Sequence, residues 1–132
     1  MKIRPVILCG GAGTRLWPKQ DNRQAKQFID FGGWTLFQKT LNRIKNPIFD
    51  YPIISTNLKY IRQVKSYLKN FGINKYKIVL EPAKKNTAPA ILASSLIKDI
   101  PKEQPLIFFP ADHIIEKTHI LNKAIYNNKK KK

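Results

Sequence analysis

The sequence predicts an α/β fold: a parallel sheet with helices on both faces, cut off after about four βα units. Two observations point there. Short apolar runs alternate with amphipathic stretches in the order β-α-β-α-β-α-β-α, which implies right-handed crossovers between parallel strands. Irregular, chemically unusual segments follow the first, third and fourth runs, at residues 9–15, 81–88 and 110–113. In such a sheet these segments share the edge beyond the strands' carboxyl ends, where ligands bind. The chain has 132 residues, 42% of them hydrophobic, enough for one domain with a real core.

The elements follow in order. Val6–Cys9, behind Pro5, reads as a buried strand. Residues 10–33 hold five of the six glycines and read as a long loop, a kind that usually carries function. Thr35 and Gln38 form a candidate capping box for a helix whose apolar face is Leu36, Phe37, Leu41 and Ile44, with Pro47 as its stop. Pro52–Thr56 is a second strand, and Asn57 a candidate cap for the next helix. That helix shows Ile61, Val64, Leu68 and Phe71 on one face and Gly72 at its end. Lys77–Leu80 is a third strand, followed by the loop "EPAKKNTAP" and a helix through Ile91, Leu92, Leu96 and Ile97. Leu106–Phe109 is a fourth strand, and a last helix is expected from about Thr118 to Asn127. Residues 127–132 read as a disordered lysine-rich tail. Internal repeats and domain linkers are not visible.

The formal charge of +17 invites a nucleic-acid reading. Twenty of the 25 basic residues are lysines spread along the chain, and only five are arginines, the residue favoured for bidentate base contacts. A solvated basic surface is therefore preferred, and no specific nucleic-acid partner is expected. The single cysteine, Cys9, suits a reducing compartment, so a cytoplasmic location is expected. The apolar run before the glycines is too short for a secretory signal, and no window approaches a membrane span.

Gly10, Gly11 and Gly13 make the stretch "LCGGAGTR" a candidate anion cradle, because glycine lets backbone N–H groups approach a phosphate closely. It is not a Walker A loop, since Gly13 is followed by Thr14 and Arg15 rather than Lys and Ser or Thr. It is not a dinucleotide fingerprint either, because Leu16 stands where the third glycine belongs. Taken alone, the cluster reads first as a tight turn between strand and loop.

The segments "LCGGAGTRLWP", "AKQF", "EPAKKNTAPAI" and "PADHII" together change that balance. With them the chain resembles the sugar-phosphate nucleotidylyltransferases, in particular their mannose-1-phosphate guanylyltransferase branch, from residue 8 to 115. The resemblance implies a Rossmann-like sheet of the nucleotide-diphospho-sugar transferase type. It also implies nucleotidyl transfer from GTP to mannose 1-phosphate, with Mg²⁺ as cofactor. Cys9 stands where the family has serine, and Ala25 where it has proline before the lysine, which loosens the backbone ahead of Lys26. Family members are at least twice as long and continue into segments that bind the sugar phosphate and supply a second metal-binding aspartate. The chain thus looks like an N-terminal portion, and a homo-oligomeric longer form is left open.

The chemistry needs no general base, because a sugar-phosphate oxygen that attacks the α-phosphorus is already an anion. It needs two polyanions held together and charge neutralised. Arg15 is the candidate for the β- and γ-phosphates. Lys26 joins it through the "KQF" match alone. Leu8, Gly10, Gly11, Gly13 and Thr14 would line the nucleotide. Asp112, behind an apolar strand, is either a turn or cap residue or a Mg²⁺ ligand, and the resemblance favours the metal. His113 is read as a packed or capping side chain. Glu81 is a candidate guanine reader: a carboxylate accepts from both N1–H and N2–H₂, a donor pair that uracil and thymine lack. Backbone groups at Asn86, Thr87 and Ala88 would help. Trp17, Phe28 and Trp34 are expected to pack rather than stack on a ligand. Competing readings are a catalytically incomplete piece that binds only nucleotide or polyanions, and a relative that uses another sugar 1-phosphate.

Overall fold

The computed structural model describes residues 1–10, 25–30, 32–81, 97–113 and 115–129. The expected helix through Ile91, Leu92 and Leu96, the loop after Glu81 and Trp17 lie outside them. Four strands, β1 (Arg4–Leu8), β2 (Ile53–Thr56), β3 (Lys77–Leu80) and β4 (Leu106–Pro110), form one sheet in the order β3-β2-β1-β4. All three pairings are parallel. The helices are α1 (Leu36–Arg43), α2 (Ile61–Asn70) and α3 (Thr118–Lys129).

β1 begins two residues earlier than the expected Val6, with Pro5 inside it. A central strand normally rejects proline because the missing N–H breaks a ladder. Here Arg4 N–H points to β4 and donates to Pro105 O (2.9 Å), while Cys9 N–H points to β2 and donates to Ser55 O (2.7 Å). Alternation turns the Pro5 nitrogen toward β2, one residue before that ladder opens at Val6 opposite Ile53. The proline therefore removes a donor that had no strand partner.

α1 starts as expected. Gln38 N–H donates to Thr35 Oγ1 (3.1 Å) and Thr35 N–H to Gln38 Oε1 (2.8 Å), a complete capping box. It ends at Arg43, before Pro47 is reached. α2 ends in a Schellman motif: Gly72 has φ +70°, Ile73 N–H donates to Leu68 O (2.9 Å) and Gly72 N–H to Lys69 O (3.0 Å). Its start departs from expectation. The cap position is Tyr60, with no side-chain cap bond, and Asn57 lies outside the helix with its amide used elsewhere. α3 runs through Lys129, so the first residues of the expected disordered tail are helical. Phe37 and Leu41 of α1 and Val64 and Leu68 of α2 pack with Ile7 and Ile54 of the sheet in one core. Leu121 and Ile125 of α3 lean on the same core. Among the described residues, no helix is long and apolar enough to cross a membrane.

Among the described residues two arginines, Arg4 and Arg43, are buried, and they differ in their surroundings. At the amino edge of the sheet Arg4 donates to Gln104 Oε1 (2.8 Å), Tyr51 O (2.7 Å) and Asp50 Oδ2 (2.9 Å), and its guanidinium lies 3.7 Å from the Tyr51 ring centre. Gln104 Nε2 donates in turn to Asp50 Oδ2 (2.9 Å) and Lys2 O (3.1 Å). Arg43 has Nε and Nη1 buried without a hydrogen-bond partner among the described residues, and only the face of Phe109 at 5.6 Å. Burial accordingly pulls its pKa down.

Arg4→Met should destabilise the chain by about 3 kcal/mol, since it strands Asp50 and Gln104. Arg43→Met should stabilise it by about 1 kcal/mol or more, because buried donors without acceptors are removed. Urea unfolding of the two variants checks both signs. Burial alone would raise the Asp50 carboxyl, but Gln104, the Tyr51 N–H and Arg4 hold it below the usual carboxylate range. Its contribution is therefore complete above the ordinary carboxylate pKa of about 4 and is lost as pH falls through the lowered value. The stability gap between the chain and Asp50→Asn should stay constant from neutral pH to about 5 and close below about 4.

Candidate functional site

Strand order reverses direction at β1: β2 and β3 step away on one side, and β4 returns on the other. The carboxyl ends of β1 and β4 therefore flank a topological switch point, the preferred ligand position in open parallel sheets. Gly10 leaves β1 there and Asp112 leaves β4.

The polar run Ser55, Thr56 and Asn57 at the end of β2 organises this edge. Thr56 Oγ1 donates to Cys9 O (3.0 Å), and Asn57 Nδ2 donates to Gly10 O (2.8 Å). Ser55 Oγ donates to Glu81 Oε1 (2.7 Å). Glu81 continues the ladder beyond β3, its N–H donating to Thr56 O (2.8 Å), and its carboxylate crosses the end of β2 to lie on Gly10. A Cβ at Gly10 would overlap that carboxylate, so a side chain there would push Glu81 off its contact; the constraint on glycine is close approach rather than φ. Asn57 Oδ1 is buried with no partner among the described residues.

The "KQF" segment is a single 3-10 turn, Lys26–Phe28, anchored from below. Phe28 is buried against Phe37 (5.6 Å between ring centres), Tyr60 (5.4 Å) and Tyr67 (5.7 Å, stacked). Gln27 is also buried and hydrogen-bonds the Cys9 side chain. With its two neighbours anchored, Lys26 is the half-exposed member of the turn. Ala25 has φ −65°, the value proline would impose, so the turn forms without the ring. Trp34 packs edge-on against Phe71 (5.5 Å), as expected of a packing residue.

Cys9 lies at the centre of this arrangement. Burial pushes its thiol well above the ordinary range, the Glu81 and Asp112 carboxylates push it further, and Gln27 and Thr56 pull the other way. Both carboxylates are thus close enough to act on one thiol. Asp112 is 36% exposed. His113, expected to be packed or capping, is instead 63% exposed, with Nε2 3.7 Å from Asp112 Oδ1. No cluster of three or more potential metal ligands occurs among the described residues. A single exposed carboxylate nevertheless fits Mg²⁺, which takes one or two protein carboxylates plus phosphate oxygens. Leu8 sits in β1 between Ser55 and Pro110. Gly11, Gly13, Thr14, Arg15, Asn86, Thr87 and Ala88 lie outside the described residues. The sequence reading missed Ser55, Thr56 and Gln27; the signal was a polar "STN" ending a buried strand.

A neutral, buried thiol is inert. The native chain should show essentially no reaction of Cys9 with a maleimide over the time in which the urea-unfolded chain gives one full equivalent by mass spectrometry.

The comparisons bear on the family and the fold. The nucleotidyl transferase family matches residues 4–132. The chain is 37% identical over 123 residues to the alginate biosynthesis protein AlgA of Pseudomonas fluorescens, covering 92% of this chain and 26% of that protein. It is 38% identical over 118 residues to a mannose-1-phosphate guanylyltransferase of Sinorhizobium fredii, covering 86% of this chain and 23% of that protein. The chain thus spans about a quarter of the length of the curated relatives it matches. Among solved structures, a mannose-6-phosphate isomerase from Helicobacter pylori superposes with a TM-score of 0.74 at 31% identity, over 96% of this chain and 45% of that one. A parallel sheet with its switch point beside Gly10, matched by the family over almost the whole chain, identifies the chain as a member of the nucleotidyl transferase family.

Proposed function

We propose that the chain is the nucleotide-binding part of an enzyme that transfers a guanylyl group from GTP to mannose 1-phosphate, giving GDP-mannose and pyrophosphate. The observation that carries this reading is the Glu81 carboxylate, held on Gly10 at the carboxyl edge of the sheet. It is an acceptor beside an anion-binding backbone, which a guanine nucleotide matches and a uracil or thymine nucleotide does not. Relatives named as mannose-1-phosphate guanylyltransferases support the choice of sugar phosphate.

In this reading the Gly10–Arg15 segment cradles the triphosphate. Arg15 and Lys26 neutralise the β- and γ-phosphates as pyrophosphate leaves in line from the α-phosphorus. Asp112 would hold Mg²⁺, which when bound offsets phosphate charge. The attacking sugar-phosphate oxygen is already an anion, so His113 has no proton to remove. A second reading rests on the same Glu81 and Gly10 geometry: the chain binds nucleotide and does not turn it over.

Titration with GTP, UTP and dTTP in Mg²⁺, together with pyrophosphate release in the presence of mannose 1-phosphate, tests both. GTP binding with turnover supports the first reading, and GTP binding without turnover the second. Equal affinity for dTTP removes the guanylyl assignment. Steeply salt-dependent binding to single-stranded nucleic acid without GTP binding would remove both. Asp112→Asn should abolish the tightening of GTP binding by Mg²⁺. Where turnover occurs, Arg15→Ala should cost about 3–4 kcal/mol of transition-state stabilisation, read from kcat/KM.

A further inference from the structure

We propose that Ser55 is a positioning residue for base selection: its hydroxyl holds the Glu81 carboxylate where guanine meets it. The proposal rests on the reading of Glu81 as the guanine acceptor. A glutamate side chain has three rotatable bonds and must be fixed to present both oxygens to a pair of donors. Two contacts fix this one. Oε1 accepts from Ser55 Oγ at 2.7 Å, and the carboxylate rests against the bare Cα of Gly10. Oε1 keeps a free lone pair after the serine bond, so both oxygens stay available as acceptors.

The placement of Ser55 argues for this role over plain packing. It is 0% exposed and sits between Leu8 of β1 and Val79 of β3, a position alanine would fill without loss of apolar contact. Its neighbours spend their polar groups on the backbone, Thr56 on the Cys9 carbonyl and Asn57 on the Gly10 carbonyl. The Ser55 hydroxyl donates instead to a carboxylate, and that side chain reaches across β2 toward the switch point.

The experiment titrates the chain, Ser55→Ala, Ser55→Thr and Glu81→Gln with GTP, ITP and UTP in Mg²⁺. ITP lacks the exocyclic amine of guanine and keeps N1–H. Ser55→Ala should weaken GTP about tenfold, as expected for loss of a hydrogen bond to a charged group, with UTP unchanged and the GTP-to-ITP preference reduced. Ser55→Thr should restore that preference. If Ser55→Ala does not fold, judged by its circular dichroism melt, the near-isosteric Ser55→Cys carries the same comparison. A wild-type GTP-to-ITP preference in Ser55→Ala, with Glu81→Gln losing it, overturns the positioning role and leaves the base reading standing. Equal weakening of all three nucleotides marks a merely structural serine and also overturns it. An unchanged preference in Glu81→Gln, or no nucleotide binding at all, overturns the base reading and the proposal with it.

Discussion

Thr56 and Asn57 bind the carbonyls of Cys9 and Gly10 at 3.0 and 2.8 Å, and these two bonds set the point at which the chain leaves β1. Cys9 N–H donates back to Ser55 O, so the last turn of β1 is held from β2 through both backbone and side chains. The rest of the edge takes its position from that hold. Gly10 is kept where the Glu81 carboxylate can lie on it, Cys9 where Gln27 can reach its thiol, and the Gln27 contact seats the turn that carries Lys26. A strand end left to water would cost little in stability, but it would let the glycine segment begin in many directions. Binding of a polyanion by backbone N–H groups depends on that direction being set in advance.

The opposite edge bears the stability. Arg4 is buried and charged, a costly combination unless every donor is met. Asp50, Gln104 and the Tyr51 carbonyl meet it, and they come from chain positions far apart in sequence. The network therefore ties the segment before β4 to the segment before β2, with β1 between them. Placing this rigid hub at the amino edge leaves the carboxyl edge free to carry the partly exposed Asp112 carboxylate and the buried Asn57 Oδ1, which has no hydrogen-bond partner among the described residues.

Local signals were legible in the sequence, and long-range ones were not. The capping box of Thr35 and Gln38 and the Gly72 stop involve residues within a turn of each other, so their spacing encodes their geometry. Asn57 looked like a helix cap by the same local logic, yet its amide answers a carbonyl 47 residues away. Pro5 looked like a boundary because its consequence depends on which way alternate nitrogens face, and that depends on register with β2. For the site, the shared sheet edge of Gly10, Glu81 and Asp112 could be read from strand order. The contact between Glu81 and Gly10 could not, because it needs β3 and β1 to stand two strands apart with a serine between them.

That contact also orients any nucleotide the edge accepts. A carboxylate resting on Gly10 repels phosphate: two unit charges 4 Å apart interact by about 4 kcal/mol at an effective dielectric of 20. A triphosphate therefore cannot lie over the Glu81 side of Gly10. In the proposed reading its charge runs away from Glu81, while the base takes the Glu81 side. Asp112 leaves β4, on the other side of β1 from β2, and in the proposed reading it lies at the phosphate end, where a divalent cation would offset the repulsion between carboxylate and phosphates. In the proposed reading the two carboxylates that raise the Cys9 thiol from either side thus divide the labour along one ligand. Glu81 meets donors on the base, Asp112 meets the metal on the phosphates, and the neutral thiol between them adds no third negative charge.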